Sequence, residues 1–230
     1  SDGGVGIDIG CGSGRWSMMI APRVAHLHLL DVSPDALVVA KENLSGARNV
    51  SFHLASVNEI PLAPQSLDFA VALGVLHHVP DTQAAINKIA GKLKPGAPFM
   101  VYLYYAFDNR PSWYRMLWKA SDRLRILVAQ LPHPLRFVLS QLIALFVYWP
   151  LARLSKLADK LGFPVRSMPL SWYRDKSFYV MRTDAYDRFC TSLEKRFTRE
   201  QIAAMFAQAG FRDIRFSESE PYWCAVGFKG

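Results

Sequence analysis

The string Asp8-Ile9-Gly10-Cys11-Gly12-Ser13-Gly14 holds the residues whose types and spacing are best suited to chemistry. Glycines at alternate positions let the backbone turn sharply and approach a ligand closely. A short apolar run precedes the string, so we expect the glycine loop at the carboxyl end of a strand, where open α/β sheets bind ligands. The G-x-G-x-G spacing differs from the G-x-G-x-x-G of dinucleotide enzymes, which disfavours an NAD-dependent enzyme.

Asp31 ends the next apolar run, 21 residues after Gly10. A carboxylate at this position can accept hydrogen bonds from both hydroxyls of a ribose. The alternative is a glycine-rich turn followed by an acid that only caps the next helix. Because the loop, the strand context and the acid occur together, we favour a nucleotide-type ligand.

The elements that position these residues alternate between strands and helices. Apolar runs predict five strands, at 5–9, 26–30, 50–54, 67–73 and 98–105, and helices at 14–21, 34–43 and 82–93. Ser33 before Pro34, and Asp81, are typical N-caps for the second and third helices. This alternation predicts a parallel sheet that is covered on both faces.

The same pattern resumes near the end of the chain. Thr198 and Gln201 predict a capping box, and the helix they begin should end at Gly210. Two strands follow, at 211–217 and 222–228, and only residues 218–221 separate them. Because a crossover needs a longer connection, we predict an antiparallel hairpin at one sheet edge.

With these motifs in this order, the chain resembles the class I S-adenosylmethionine-dependent methyltransferases. Residues 8–14 match their first motif, and the stretches Leu76-His77-His78-Val79-Pro80-Asp81 and Leu93-Lys94-Pro95-Gly96 are similar to the "LHHVPD…LKPGG" segment of the small-molecule branch. The resemblance covers about residues 3–105 and 196–229. It implies a Rossmann-like, doubly wound α/β fold with seven strands and a reversed last strand.

The resemblance also implies a cofactor site for S-adenosylmethionine. Asp8 and the glycine loop would hold the methionine part, and Asp31 the ribose. The family commonly has an acid after the third strand that accepts the adenine amino group, but Ser56 stands at the matching position, with Asn58 or Glu59 as helpers. The full predicted cofactor set is Asp8, Gly10, Cys11, Gly12, Gly14, Asp31, Val32, Ser56, Val57 and Gly74.

Methyl transfer needs alignment above all, because the sulfonium is already activated. A hydroxyl or carbon acid also needs its proton removed. His77 and His78 follow the fourth strand, near the place where the family's acceptors bind, and are the candidate general bases. The alternative is that His77 only packs against the cofactor floor. We also predict that Tyr104 belongs to the site that binds the methyl acceptor.

Residues 106–195 differ in composition from the rest of the chain. They hold 15 lysines and arginines against 7 acids, and 15 of the 29 aromatic residues, whereas the charges balance elsewhere. We therefore divide the chain into a core at 1–105, a helical insert at 106–195, and the end of the core at 196–230. The net charge is +8 and the pI is about 9.5.

The insert predicts two helices. Residues 113–131 carry one apolar stripe, and Pro132 and Pro134 end it; residues 137–149 are apolar nearly all round, and Pro150 kinks or ends them. The 16 residues between Arg136 and Arg153 give roughly 24 Å, too short to span a membrane comfortably. Such a helix could lie in a membrane interface, cover an oily acceptor, or simply pack in a core.

A polar and aromatic stretch later in the insert provides further candidates for the acceptor pocket, in which arginines would hold a phosphate or carboxylate. Asp184 and Asp187 could instead mark a helix start, with Asp184 as its cap. The predicted pocket residues are Tyr173, Arg174, Arg182, Asp184 and Asp187.

The cysteine content of the chain indicates the cellular compartment in which the protein works. Three widely separated cysteines fit neither a disulfide framework nor a metal site, so we expect a reducing cytoplasm, with contact to a membrane surface as an option. Neither a secretory signal nor a membrane-spanning segment is expected. Ser1 falls almost on the first predicted strand, so we expect the natural protein to have a preceding leader segment.

Together these features favour methyl transfer to a small, largely apolar acceptor that carries an anionic group in some cases: a quinone precursor, a lipid-linked intermediate or a natural product. An RNA methyltransferase is the first alternative. The basic charge favours it, but the fourth strand leads into Gly74-Val75-Leu76-His77 and not into Asn/Asp-Pro-Pro-Tyr. A non-catalytic cofactor-binding or interaction module is the second. The oligomeric state is left open.

Overall fold

The computed structural model describes residues 3–165, 168–191, 193–218 and 222–230. The chain forms two compact units. We call Ser1–Ala106 with Lys195–Gly230 the α/β unit, and Phe107–Glu194 the helical unit. The prediction for the position of Ser1, and residues 219–221 of the predicted hairpin connection, lie outside the described residues.

The first part of the α/β unit alternates strands and helices as predicted. Ser33 and Asp81 accept hydrogen bonds from Ala36 and Ala84, so both predicted N-caps are present. The first helix begins at Ser17 and not at Gly14, because Gly14 has a φ of +76° that a helix cannot use. The elements are β1 (Val5–Ile9), α1 (Ser17–Ile20), β2 (His26–Asp31), α2 (Pro34–Asn43), β3 (Val50–Leu54), β4 (Phe69–Leu73), α3 (Thr82–Ala90) and β5 (Pro98–Tyr102).

Helices make up the helical unit. They are α4 (Ser112–Ala129), α5 (His133–Ile143), a π-helical segment (Ala144–Tyr148), α6 (Trp149–Lys160) and α7 (Phe178–Cys190), with a 3-10 turn at Ser171–Asp175. The α/β unit then resumes with α8 (Arg199–Gln208), β6 (Phe211–Phe216) and β7 (Cys224–Lys229). The predicted capping box of Thr198 and Gln201 begins α8.

The seven strands form one sheet in the order β3-β2-β1-β4-β5-β7-β6. β1 to β5 pair in parallel, whereas β7 is antiparallel to both β5 and β6. The predicted fold class, with its reversed terminal strand, is therefore confirmed. The strand order reverses at β1 and β4, which is where open α/β sheets bind ligands.

Apolar side chains fill both sides of this sheet. On one side, Phe99 stacks on Phe206 of α8 with 5.3 Å between the ring centroids, and both rings are fully buried. On the other side, Leu27 and Leu29 of β2 pack with Leu37 and Ala40 of α2. Because helices cover both faces, the sheet is held rigidly and its strand ends are fixed in place.

The helical unit has a smaller core of its own, built from α4, α5, the π-helical segment, α6 and α7. Its buried residues are Val128, Ala144, Tyr148, Ala152, Met181, Ala185 and Phe189.

Pro150 does not end the helix that precedes it, so of the two outcomes expected there, a kink or an end, the end is wrong. Pro150 is the second residue of α6 and directly follows the π-helical segment, where the hydrogen-bond pattern changes and a missing N–H is tolerated. One continuous helix therefore runs from His133 to Lys160, and by length and composition it is long enough to cross a membrane. Our estimate of a helix too short to span counted only the 16 residues between Arg136 and Arg153, and it is corrected because the helix continues beyond both arginines.

Candidate functional site

The carboxyl ends of four parallel strands bring the predicted site residues to one edge of the sheet. Gly10 follows β1, Asp31 ends β2, Gly74 follows β4 and Tyr104 follows β5. Because β1 pairs with both β2 and β4, and β4 pairs with β5, these residues lie side by side along that edge. The sheet therefore groups positions that are far apart in the sequence.

The glycine loop is held against β2 and leaves room above it. The N–H groups of Gly10 and Cys11 both donate to the Leu30 carbonyl, at 2.7 and 3.2 Å. A Cβ on Gly10 would lie 2.3 Å from Val75, whereas a Cβ on Gly12 would meet nothing within 4 Å. Gly10 is thus required for packing, and Gly12, with a φ of +53°, faces open space that a ligand can fill.

Asp31 is fixed beside this loop. One carboxylate oxygen accepts a hydrogen bond from the Gly12 N–H at 2.8 Å, and the other accepts one from the Ser33 N–H at 2.9 Å. A carboxylate has about four acceptor sites, so two remain for the hydroxyls of a ribose. The loop and the acid are therefore one preorganised unit.

Asp8 lies beneath the loop. It is only 2% exposed, and its carboxylate accepts a hydrogen bond from the Ser17 hydroxyl at 2.5 Å. Burial, opposed by this hydrogen bond and reinforced by the negative charge of Asp31, raises the pKa of Asp8 to about 6. Burial likewise raises the pKa of Cys11 to about 12, so its thiol is unreactive at neutral pH.

The region that would hold an adenine ring is apolar, with a hydroxyl where an acid was expected. Ser56 accepts a hydrogen bond from the Asn58 N–H and caps a short 3-10 turn at Val57–Glu59. Val57 is buried, whereas Val32 is 69% exposed beside Asp31. A ring placed here would rest on an aliphatic surface and would have weaker polar recognition than a carboxylate provides.

His77, His78 and Tyr104 form a cluster beyond β4 and β5. The His77 ring stacks on Tyr104 with 3.8 Å between centroids, and the His78 ring lies 4.1 Å from that of His77. His77 is fully buried, and neither of its ring nitrogens has a hydrogen-bond partner among the residues that the structure describes. Burial, together with the nearby His78 and Arg196, lowers the pKa of His77 to about 3, which keeps the imidazole neutral.

The sequence analysis missed two residues of this cluster, Lys195 and Arg196. The Lys195 N–H donates to the His77 carbonyl at 3.0 Å, and the Arg196 guanidinium lies over the Tyr104 ring at 5.1 Å. The signal that could have found them is weak, because about 90 residues separate them from Tyr104. Arg196 places positive charge beside the buried imidazole, whereas the Lys195 ammonium group donates to the Pro80 carbonyl.

Comparison with known proteins identifies the α/β unit. Residues 7–96 match the family model described as a methyltransferase domain. This match covers the glycine loop, Asp31 and the His77 segment.

Residues 7–96 form a methyltransferase domain with the class I fold.

Sequence relatives of this methyltransferase domain include the ubiquinone biosynthesis O-methyltransferase of Xanthomonas campestris pv. campestris, strain B100. That protein is 34% identical over 92 residues, which are 39% of this chain and 38% of the relative. The chain thus matches about two fifths of the length of such curated relatives.

Solved structures agree on the fold. A phosphoethanolamine N-methyltransferase of Haemonchus contortus superposes with a TM-score of 0.53 at 17% identity, over 94% of this chain and 34% of that chain. The carbon methyltransferase CurJ gives a TM-score of 0.55 at 14% identity, over 100% and 49%.

The cofactor of this methyltransferase domain is S-adenosylmethionine, and the residues present fit it. The open space above Gly12, the two remaining acceptor sites of Asp31 and the exposed Val32 match a methionine, a ribose and an adenine in that order along the edge. The individual contacts of the ten predicted cofactor residues stay predictions.

The predicted pocket residues of the helical unit are engaged with one another and their neighbours. The Tyr173 hydroxyl donates to Asp184 at 2.8 Å, Arg174 pairs with Asp159 at 3.1 Å, and Arg182 donates to Gln141 at 2.5 Å. Burial, with Tyr148 and Asp184 nearby, raises the pKa of Tyr173, so this phenol stays protonated. Their role in acceptor binding stays a prediction.

Asp184 does not cap a helix, so that alternative was wrong. It lies inside α7, whose N-cap is Ser177. Ser177 accepts a hydrogen bond from the Val180 N–H, which makes it the better cap, and the helix therefore starts six residues before Asp184. Among the residues that the structure describes, no group of three or more metal-ligating side chains could hold an ion.

Proposed function

We propose that this protein transfers a methyl group from S-adenosylmethionine to a hydroxyl of a small, largely apolar acceptor. The observation that carries the proposal is the fully buried His77, with two unpartnered ring nitrogens, at the same sheet edge as the glycine loop and Asp31. A buried imidazole without a partner is costly unless a ligand supplies one. An acceptor hydroxyl would do so.

When bound, S-adenosylmethionine supplies a methyl group whose carbon–sulfur bond breaks with the electron pair remaining on sulfur. The chain holds the reactants in line and provides a place for the hydroxyl proton. The neutral His77 ring accepts that proton as the new carbon–oxygen bond forms. Although the pKa of this histidine is low, a hydroxyl that gains a methyl group becomes strongly acidic, so a weak base is sufficient.

Arg196 supports an acceptor that carries or develops negative charge. Arg196 lies over the Tyr104 ring, which in turn stacks on His77. A phenol or catechol, with an aromatic ring and an acidic hydroxyl, fits such a mixed aromatic and cationic setting. Quinone precursors have this chemistry, and the relative from Xanthomonas campestris is named for ubiquinone biosynthesis. Lipid-linked and natural-product phenols share it.

The test uses radiolabelled S-adenosylmethionine, the purified chain and an extract of the source cells, fractionated into lipid, aqueous metabolites and RNA. We expect label in the lipid fraction, lost in Asp31→Ala and retained in Asp35→Ala, which removes an exposed acid from α2. Label in RNA would support the RNA alternative and overturn the acceptor class. Label in the aqueous fraction would retain the small acceptor but not its apolar character.

A second variant tests the role of His77. We expect His77→Gln to lower kcat by about 10²- to 10⁴-fold, the usual contribution of a general base, with unchanged cofactor affinity by calorimetry. Cofactor binding without transfer by the unmodified chain, to any fraction, would favour a non-catalytic binding module.

A further inference from the structure

The helical unit leaves most of its large apolar side chains outside its core. Along the continuous helix from His133 to Lys160, the 18-residue window with the highest hydropathy is only 22% buried. One face of this helix is formed by side chains that are each at least 43% exposed: Leu135, Val138, Leu142, Leu145, Phe146 and Trp149. A contiguous apolar face of this size marks an interaction site.

A second exposed stripe runs along α4. Trp113, Leu117, Leu124 and Leu127 recur at helical spacing and are all about half exposed or more. Arg115, Lys119 and Arg123 are exposed along an adjoining face of the same helix. An apolar stripe flanked by cations is typical of helices that lie in a membrane interface.

The charge of the helical unit favours a lipid surface over a second copy of the chain. Residues 107–194 hold 14 lysines and arginines against 7 acids. Two such surfaces facing each other would place like charges together, whereas anionic headgroups would neutralise them. Trp149 and Trp113 are also the residue type that is enriched at the boundary between water and hydrocarbon.

The packing of α7 decides how the helix would meet the bilayer. Helix α7 packs along α5 through Met181, Ala185 and Phe189. The same helix carries the exposed Arg182, which donates to Gln141 of α5, and the exposed Asp187. If the His133–Lys160 helix crossed the membrane, α7 would be drawn into the hydrocarbon with these charges, at a high cost in free energy. A helix lying in the interface keeps α7 on the aqueous side.

We propose that the helical unit docks on anionic lipid bilayers, with the apolar face of α5 and the π-helical segment lying flat in the interface and the cations of α4 on the headgroups. The inference does not depend on methyl transfer. It rests on exposure, charge and the position of α7 within the helical unit.

The experiment is co-sedimentation of the 230-residue chain with vesicles of phosphatidylcholine alone or with about 30% phosphatidylglycerol. We expect binding to the anionic vesicles and at least tenfold weaker binding of the double variant Leu142→Glu with Phe146→Glu. The control is Val38→Glu with Val39→Glu, which places the same charges on two similarly exposed apolar positions of α2. The control should bind like the unmodified chain.

Two further measurements test the contribution of the α4 cations and distinguish a helix that lies in the interface from one that spans the membrane. Arg115→Gln with Lys119→Gln and Arg123→Gln should weaken binding to anionic vesicles by about 100-fold, because each cation near such a surface strengthens binding about fivefold. Bound protein should also move to freshly added vesicles, since an interfacial helix is reversibly bound. Protein that stays on the first vesicles would show a spanning helix and overturn the flat arrangement.

Equal binding of the face variant and the control would overturn the docking surface. A dimer in light scattering that the face variant converts to a monomer, without vesicle binding, would assign the face to a second copy. Circular dichroism melts of all variants verify that the fold is retained, because every substituted side chain is exposed.

Discussion

The two units of this chain bury their apolar side chains to very different extents. In the α/β unit, fully buried residues such as Phe99, Phe206 and Leu29 fill both faces of a seven-stranded sheet. In the helical unit, small residues such as Ala144, Ala152 and Ala185 form much of the core, and large ones such as Phe146 lie outside it. The first unit is stabilised by its buried core, whereas the second leaves much of its apolar surface exposed.

The largest expected difference comes from removing one phenylalanine from each unit. Phe99→Ala should lower the free energy of unfolding by about 3–5 kcal/mol, because it empties a closed core. Phe146→Ala should lower it by less than about 0.5 kcal/mol, since its ring is 69% exposed. Urea unfolding of both variants measures this. Equal losses would mean that Phe146 is covered in solution, and the contrast between the units would disappear.

The next effect concerns pH and is specific to the α/β unit. The folded Asp8 carboxyl keeps its proton up to a pKa of about 6, whereas the ordinary value is 3.8. The folded state therefore binds more protons between these values, and stability falls as the pH rises through this window. Asp8→Asn cannot titrate, so we expect the stability of the unmodified chain relative to this variant to fall by about 2 kcal/mol between pH 4 and 7.

Urea unfolding across that pH range measures the Asp8 effect. Asp35→Asn, at an exposed position of α2, serves as the control and should show a much smaller change. A flat difference between the unmodified chain and Asp8→Asn would show that water reaches Asp8. The interior of the α/β unit would then be less closed than the packing indicates.

The glycine loop contains both kinds of position, because Gly10 is packed against a neighbour whereas Gly12 faces open space. Gly10→Ala should cost about 2 kcal/mol of stability, since its Cβ would collide with Val75. Gly12→Ala should cost only about 1 kcal/mol, for its positive φ, yet weaken cofactor binding at least tenfold. Thermal unfolding and calorimetry of the pair separate the two. If both variants lost stability but neither lost affinity for the cofactor, the space above Gly12 would not be the cofactor site.

The smallest expected effects come from helix caps. Thr198→Ala and Ser177→Ala each remove a side-chain hydrogen bond at the start of α8 and α7, worth about 1 kcal/mol. Hydrogen exchange should show a loss spread across the α/β unit for Thr198→Ala, because α8 belongs to its core. For Ser177→Ala the loss should be confined to the helical unit. A loss spread through both units would show that they unfold together.

The sequence was most informative where the signals were local. The cap at Ser33, the boundaries of α2 and the capping box at Thr198 depend on residues within one helical turn, and each occurs as predicted. The antiparallel end of the sheet followed from the length of one connection. The glycine loop and Asp31 were recognisable because both lie directly after apolar strands.

Features that depend on distant parts of the chain were not predictable. Pro150 usually ends a helix, and only the π-helical segment before it allows the helix to continue. Asp184 has the type and spacing of a cap, but Ser177 competes for the same helix and precedes it. Arg196 reaches Tyr104 only because the chain returns to the sheet edge after the helical unit.

The chain leaves the sheet edge after Ala106 and rejoins it at Phe197, and this connection has a consequence for the helical unit. Tyr105 and Phe197 form an isolated parallel bridge, with the Ala106 N–H donating to the Phe197 carbonyl and the Phe197 N–H donating to the Tyr104 carbonyl, both at 2.9 Å. Backbone hydrogen bonds within the α/β unit thus join the residues directly before the helical unit to Phe197, which follows it. Because these bonds do not involve residues 107–194, we expect that the segment could be exchanged for another one without disturbing the sheet edge.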